Sequence, residues 1–302
     1  MRINKKGSLI PFLRLLRLHQ WSKNTLLFVP LLAAHKITEI DSLRELFVAF
    51  FAFSLCASTV YVVNDLIDLE HDRKHPIKRL RPFASGEIST KFGVALVPIF
   101  LILSIFLALR VESNFPAILF VYFLLTCAYS LWLKRISPID SMTLAILYTL
   151  RVVAGAAAVQ VPLSFWLLTF SFFIFLSLAN LKRYAELQLQ NSLGNSELDG
   201  RGYTFSDGAL VRTIGISSGF TSSLVLALYL QSETVAILYS QPEFIWTCVP
   251  LILFWINWLW VKAEKGQIQI DPLDYALRDR VSIFLGLAIF LCFFLATNGI
   301  KF

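Results

Sequence analysis

The chain has 302 residues, 57% of them hydrophobic and only 16% charged, with 27 Phe and a mean hydropathy of +0.67. That is far too apolar for a soluble domain of this length, so composition excludes that class. It leaves an all-α integral membrane protein, read as one polytopic domain over residues 1–302.

In chain order, Leu9 to Leu18 mixes Leu, Phe and Arg as a basic helix lying in a membrane interface does. Arg14 and Arg17 also interrupt any apolar run that a cleavable signal peptide would need. A hydrocarbon core of ~30 Å takes roughly 20 helical residues to cross. Stretches of that kind fall near 17–34, 44–64, 92–109, 115–133, 138–158, 163–181, 209–230, 244–261 and 281–299. They predict about nine transmembrane helices, the first of them weak because Lys23 and His35 crowd a short apolar core.

Loop charge sets the expected orientation. Of the 27 Lys and Arg, only Lys36, Arg44, Arg110 and Lys301 fall on one side, and Arg151 falls within a span. The rest lie in the N-terminal segment or in the loops near 65–91, 134–137, 182–208 (with Arg212 just beyond) and 262–280. The positive-inside rule puts those segments in the cytoplasm, the C-terminus outside and the protein in the plasma (inner) membrane. The same bias accounts for most of the +7 net charge and the pI near 9.3, so no nucleic-acid partner is read from them. Cys56, Cys127, Cys248 and Cys292 sit within spans at no metal-ligand spacing and are read as packing residues. The loop 190–208, rich in Gly, Ser, Asn and Asp, reads as a mobile cover over a site. Oligomeric state is not legible, because lipid-facing and bundle-facing residues are equally apolar.

The loop after the second span carries the chemistry, in NDLIDLEHDRKHPIKRLRPFASG at 64–86. If the helix runs on through Asp72, then Asn64, Asp65, Asp68 and Asp72 project at about 0°, 100°, 40° and 80°, all on one face. Three carboxylates on one arc repel each other unless a cation joins them. Their hard oxygens suit Mg²⁺, which keeps some waters and is completed by substrate phosphate oxygens. Arg73, Lys74, Lys78, Arg79 and Arg81 follow, with Pro76 and Pro82 ending the helix, and are placed to clamp further phosphate oxygens. The plainer alternative is a solvated loop salt-bridged to itself. His71 and His75 stand four apart, as a zinc pair does, but Pro76 breaks the turn and no protease-type Glu accompanies them. His75 is therefore read as a phosphate contact or a packing residue.

The pattern NxxxDxxxD on Asn64, Asp68 and Asp72 resembles the first aspartate-rich motif of the UbiA-type intramembrane prenyltransferase superfamily. The resemblance extends over most of the chain, including YSLWLKR at 129–135. HPIKRLRPFASG, LRVVAGA around Arg151, LANLKRYAELQ at 178–188 and DYALRDR at 274–280 are similar to the branch of decaprenyl-phosphate phosphoribosyltransferases. Prenyl-diphosphate users of the superfamily carry a second aspartate-rich motif after the sixth helix. Here Lys182, Arg183, Tyr184 and Glu186 stand at that place, and Tyr184 and Gln188 take the positions matching Asp68 and Asp72.

The resemblance implies a UbiA-like bundle with a lipid-accessible central cavity and transfer of 5-phosphoribosyl from phosphoribosyl diphosphate (PRPP) to a polyprenyl, decaprenyl-like phosphate. Mg²⁺ is the implied cofactor, with Asn64, Asp65, Asp68 and Asp72 as its ligands and Asp65, Asp68 and Asp72 as the catalytic carboxylates. Lys23, Lys78, Arg81, Lys134, Lys182 and Arg183 are candidate phosphate ligands, and Tyr129 and Tyr184 are hydroxyl donors or ring walls. Lys182 and Arg183 hold either the 5-phosphate or the acceptor phosphate, or else anchor a helix end by their charge. Arg151 lies inside a span, where the bilayer makes a charge costly, and either touches substrate or bonds another helix. Asp140, about 16 Å along the axis on the same face, either shares a function or caps its helix after Pro138. Asp274, Arg278 and Arg280 either close the site or salt-bridge the cytoplasmic rim. Two other functions stay open: a prenyltransferase joining a prenyl diphosphate to an aromatic or lipid acceptor, and a non-catalytic lipid-carrier transporter.

Overall fold

A computed structural model of the chain describes residues 9–74, 78–193, 198 and 200–298. Residues 1–8, 75–77 with His75 and Pro76, 194–197 and 199 of the expected cover loop, and 299–302 with Lys301 lie outside the described residues. Helix is the only regular structure among those described. Among the described residues seven helices are long and apolar enough to cross a membrane, and an eighth apolar helix, Phe115–Leu131, has 17 residues. The chain divides into two compact units: Met1–Leu131 with Leu150–Leu163, and Trp132–Thr149 with Ser164–Phe302.

The first unit is built on α3 (Ile40–Ile67), a helix of 28 mostly apolar residues that packs mainly on α5 (Thr90–Ala108) and also touches α6 (Phe115–Leu131). Ser104 of α5 donates to the Ala52 carbonyl at 2.7 Å, which lets the two helices share a polar contact inside apolar surroundings. A short α1 (Leu9–Leu15) brings Leu15 and Leu16 into a cluster with Val62, Phe83, Leu96 and Phe100, and Arg14 bridges to Glu87 on the outside at 2.6 Å.

The first expected span, 17–34, is not one α-helix. It is an 11-residue 3-10 helix, Leu18–Phe28, followed by α2 (Val29–Ala33). Such runs are uncommon beyond one turn, and polar side chains explain this one. The Trp21 indole donates to Ser58 at 3.0 Å, Ser58 donates to the Leu16 carbonyl at 2.8 Å, and Asn24 donates to Ser54 at 2.8 Å. The segment is stitched sideways to α3 instead of presenting an apolar face to lipid.

The second unit is dominated by α8 (Phe165–Ser192) packed on α9 (Gly208–Tyr229), with α12 (Cys248–Glu264) against both. Ser164 caps α8 by accepting from the Leu167 N–H. The expected span at 163–181 stops at Leu181, whereas α8 runs eleven residues further, because Ala, Glu, Leu and Gln in 185–190 are good helix formers. Close approach of α9 and α12 needs Gly215, where an added Cβ would lie 2.2 Å from the Trp260 ring. Between the long helices stand α10 (Glu233–Leu238), α11 (Glu243–Trp246) and α13 (Pro272–Ala276).

The helix α7 (Ile139–Ala158) contributes to both units, and α14 (Arg280–Asn298) closes the second. Phe284, Leu287 and Phe290 of α14 are 70%, 64% and 58% exposed. Apolar surface of that extent on a long helix is a lipid-facing surface, not an aqueous one. The short α4 (Leu69–Lys74) continues α3 across a single break at Asp68.

Candidate active site

In the first unit the acidic residues sit where α3 gives way to α4. Asp68 has φ −85° and ψ 7°, its N–H still reaches the Asn64 carbonyl at 2.9 Å, and the Asp72 N–H reaches the Asp68 carbonyl at 2.9 Å. The break therefore changes the wheel little. Asp65 and Asp72 are buried, 3% and 2% exposed, while Asp68 and Asn64 are half-buried and Asn64 donates to Ser130 at 3.0 Å.

The cation that joins the carboxylates is a guanidinium. Arg81 donates to Asp65 at 3.1 Å and to Asp72 at 2.7 Å, and Arg17 donates to Asp65 at 2.5 Å. Arg81 is held in register by its neighbour Phe83, which is 2% exposed in the apolar cluster, and by the Ser85 N–H bonded back to the Arg81 carbonyl at 2.9 Å. Lys78 lies in the exposed one-turn 3-10 helix Lys78–Leu80, and Lys23 is buried at 6%. Tyr129 is half-buried near the end of α6. His71 is exposed on α4.

Among the described residues no three His, Cys, Asp or Glu side chains converge as a metal site. Of the expected ligand set, Asp65 and Asp72 are arranged around arginine and Asn64 bonds Ser130. Its chemistry nonetheless fits Mg²⁺: two buried carboxylates, with a third between them in sequence, offer the hard oxygens that ion takes, and the cations they hold mark the same need for positive charge.

Arg151 belongs to this unit too. It donates to the Asn24 carbonyl oxygen at 2.9 Å and to the Tyr122 hydroxyl at 3.0 Å, and lies 5.4 Å from the Phe53 ring centroid. Helix α7 therefore contributes the hydrogen bonds to other elements that formed one of the two readings of Arg151.

In the second unit the basic residues of α8 have separate surroundings. Arg183 is fully buried; it is gripped by Asp140 through two bonds, and donates to Glu186 at 2.5 Å. Arg201 closes the network, reaching Asp140 at 2.9 Å and Glu186 at 3.6 Å. So Asp140 is a buried partner of arginines, and the described part of the loop near 198–204 is clamped by Arg201. Burial pushes the nearby Tyr203 hydroxyl above its ordinary pKa, and the Asp140 charge adds to this.

Lys182, 27% exposed at its side chain, donates to Asp271 at 2.9 Å. Tyr148 also donates to Asp271, at 3.3 Å, and Asp271 accepts from the Leu273 N–H to cap α13. Tyr184 donates to Glu264 at 2.6 Å and accepts from Gln188 at 2.7 Å. Lys134 is half-buried in the 3-10 helix Leu133–Arg135, Asp274 is half-buried on α13, and Arg278 and Arg280 are exposed.

Sequence reading passed over Arg17, Asp271, Glu264 and Arg201 as partners. Arg17 and Asp65 are 48 positions apart and Lys182 and Asp271 are 89 apart, so no local spacing signals either pair. Asp271 before Pro272 does signal a helix start, but not the lysine it holds.

The sequence model of the UbiA prenyltransferase family matches residues 25–267. The chain is 37% identical to nodulation protein NoeC of Azorhizobium caulinodans, over 92% of this chain and 91% of that one. It is 31% identical to decaprenyl-phosphate phosphoribosyltransferase of Mycobacterium tuberculosis, over 90% and 89%. It is 36% identical to the uncharacterized protein y4nM of Sinorhizobium fredii over 93% of this chain, and spans only 55% of that protein. Among solved structures, a UbiA homologue from Archaeoglobus fulgidus bound to DMAPP and Mg²⁺ superposes with a TM-score of 0.71 at 18% identity, over 95% of this chain and 99% of that chain. That likeness establishes the fold, and the sequence relatives establish the kinship. The chain is a multi-pass membrane transferase of the UbiA prenyltransferase family.

Proposed function

We propose that the protein transfers 5-phosphoribosyl from PRPP to a polyprenyl phosphate and releases diphosphate. The observation that carries this is the end of α3, where buried Asp65 and Asp72 share one guanidinium, a site built for positive charge beside an anionic leaving group. The 31% identity to decaprenyl-phosphate phosphoribosyltransferase supports the choice of donor, and so does α8, which carries Tyr184 and Gln188 where prenyl-diphosphate users have carboxylates.

Bond changes are simple. The ribose C1 to diphosphate oxygen bond breaks and a bond from C1 to an acceptor phosphate oxygen forms. A phosphate monoester has a second pKa near 6, so the acceptor is largely dianionic at neutral pH and no general base is needed. Mg²⁺, when bound, would neutralise charge on the departing diphosphate.

Asn64, Asp65, Asp68 and Asp72 are the assigned metal ligands. Arg81, Lys78 and Lys23 bind phosphate oxygens, as do Lys134 and Lys182. Tyr129 lends a hydroxyl or a ring wall. Arg183, Tyr184 and Arg151 are buried as well as bonded to Asp140, Glu264 and Asn24, so their part at the substrate site is to hold those neighbours in place. Exclusion of water protects the donor from hydrolysis. The motif-bearing loops face the cytoplasm, where PRPP is made available, and the acceptor enters from the lipid.

A second reading, transfer from a prenyl diphosphate to an aromatic or lipid acceptor, is favoured by the fold neighbours solved with DMAPP or GPP and Mg²⁺. Purified protein given Mg²⁺ and labelled PRPP with polyprenyl phosphate, in parallel with labelled prenyl diphosphate and 4-hydroxybenzoate, separates the two. The proposal expects product in the first reaction. Product in the second alone reverses it.

A further inference from the structure

The metal–diphosphate reading gives Asp65, Asp68 and Asp72 a divalent cation, yet two of these three already hold arginines. Arg17 lies 2.5 Å from Asp65, and Arg81 spans Asp65 at 3.1 Å and Asp72 at 2.7 Å. The carboxylates are 3% exposed at their side chains, whereas the guanidinium side chains keep 20% and 29%. The anions are fixed and dry, and the cations are the parts with room to move.

Arg17 stands out further by its backbone. It has φ 51° and ψ 47°, the left-handed region that a residue with a Cβ rarely adopts. It occupies the junction between α1 and the Leu18–Phe28 segment, so the residue that reaches the acidic site is one of three non-glycine residues, with His35 and Gln160, in that region among those described. Its guanidinium also lies 4.8 Å from the Tyr61 ring centroid, a face able to retain it after a carboxylate is withdrawn.

Charge balance indicates the use of this arrangement. Asp65 and Asp72 with Arg17 and Arg81 sum to zero, and Asp68 adds one negative charge. A divalent metal entering alone would leave a net positive charge and would compete with two guanidiniums for the same oxygens. Entering with a diphosphate, it brings its own anion, and the displaced guanidiniums meet phosphate oxygens, which their forked donors suit.

We propose that Arg17 and Arg81 are exchangeable counterions. They hold Asp65 and Asp72 until a divalent metal and a diphosphate arrive together, then pass to the diphosphate oxygens, so that neither ligand binds well without the other. The proposal rests on the metal–diphosphate reading and adds to it Arg17 and a coupling between the two ligands.

Two binding measurements on the full chain in lipid nanodiscs test it without turnover. In the first, Mn²⁺ uptake is followed by electron paramagnetic resonance in the absence of any phosphate. Arg17→Gln and Arg81→Gln are each expected to bind Mn²⁺ at least about tenfold more tightly than wild type, since each removes a competing charge. Arg17→Lys keeps the charge and should behave as wild type. If Arg17→Gln fails to assemble, Arg81→Gln carries the same expectation. In the second, equilibrium dialysis of labelled inorganic pyrophosphate should show retention by wild type only with Mg²⁺ present, and at least about tenfold less retention by the double Gln variant. Equal Mn²⁺ affinity in wild type and both Gln variants overturns the exchange, as does Mg²⁺-independent retention of pyrophosphate by wild type. Undiminished Mn²⁺ and pyrophosphate binding by Asp65→Asn/Asp72→Asn removes the metal reading itself.

Discussion

Two buried carboxylate–arginine clusters differ in how they treat water. At the end of α3 the carboxylates are buried but both arginines, Arg17 and Arg81, remain partly open, whereas at α8 the Asp140–Arg183 pair is sealed and only Glu186 and Arg201, which complete the ring, reach solvent. A sealed ion pair with its hydrogen bonds met holds elements in place, and removing one partner strands the other charge in low dielectric. An open pair can exchange its cation. The contrast assigns architecture to the second cluster and ligand chemistry to the first, although the sequence makes Lys182-Arg183 look as promising as Arg81.

The largest expected effect that sharpens this contrast is on Arg183. Arg183→Gln should cost roughly 3 kcal/mol of stability by taking the sealed partner from buried Asp140 and leaving Arg201 to hold that charge, read as a lowered thermal midpoint in detergent. Arg81→Gln should cost less, because water reaches the place of a side chain that is 29% exposed and Arg17 still holds Asp65. Equal losses would erase the distinction between the clusters.

Next comes packing around α8. Gly215→Ala sets a methyl against the Trp260 ring and the Asn180 side chain, and overpacking of that kind costs about 1–3 kcal/mol. A neutral result in the same thermal assay would mean that α9 and α12 adjust more freely than their contact suggests.

Lys182→Gln probes the one basic residue of that α8 pair with exposed surface. A tenfold rise in the KM for PRPP, about 1.4 kcal/mol, with little change in kcat is expected if Lys182 binds a phosphate. If the KM stays put, Lys182 serves only to hold Asp271 and α13.

The smallest effect concerns Asp279, just before α14. Burial pushes its carboxyl up, but the Ser282 N–H and hydroxyl, the Trp258 indole and the Lys262 charge outweigh burial and hold it below the ordinary carboxylate range. A folded value below the unfolded one contributes stability above the ordinary carboxylate pKa, and that contribution is lost as pH falls through the folded value. Asp279→Asn should therefore lower the thermal midpoint slightly at neutral pH and not in strong acid. An equal deficit at both would assign the loss to hydrogen bonding alone.

Much of the fold was legible because bilayer spans are written in unbroken apolar runs. The runs at 92–109, 138–158, 209–230 and 281–299 lie within a few residues of α5, α7, α9 and α14. The run at 17–34 misled because hydropathy cannot register that Trp21, Ser58, Asn24 and Ser54 bond sideways. For the site, the spacing of Asp65, Asp68 and Asp72 was readable, since it depends only on helical period. Arg17 was not: its contact with Asp65 depends on how an N-terminal segment folds back across α3, and its left-handed backbone leaves no mark in residue type. The same blindness made Arg183 resemble a surface cation, because its acidic partner Asp140 is 43 positions away.

The most direct test of the central claim is transfer of labelled phosphoribosyl from PRPP to polyprenyl phosphate by the purified protein, with Mg²⁺ and then with excess chelator, alongside the Asp65→Ala/Asp68→Ala/Asp72→Ala variant. The account predicts Mg²⁺-dependent product from wild type and a loss of at least about a thousandfold in chelator or in the triple variant, roughly 4 kcal/mol of transition-state stabilisation. Full turnover under either condition would contradict it.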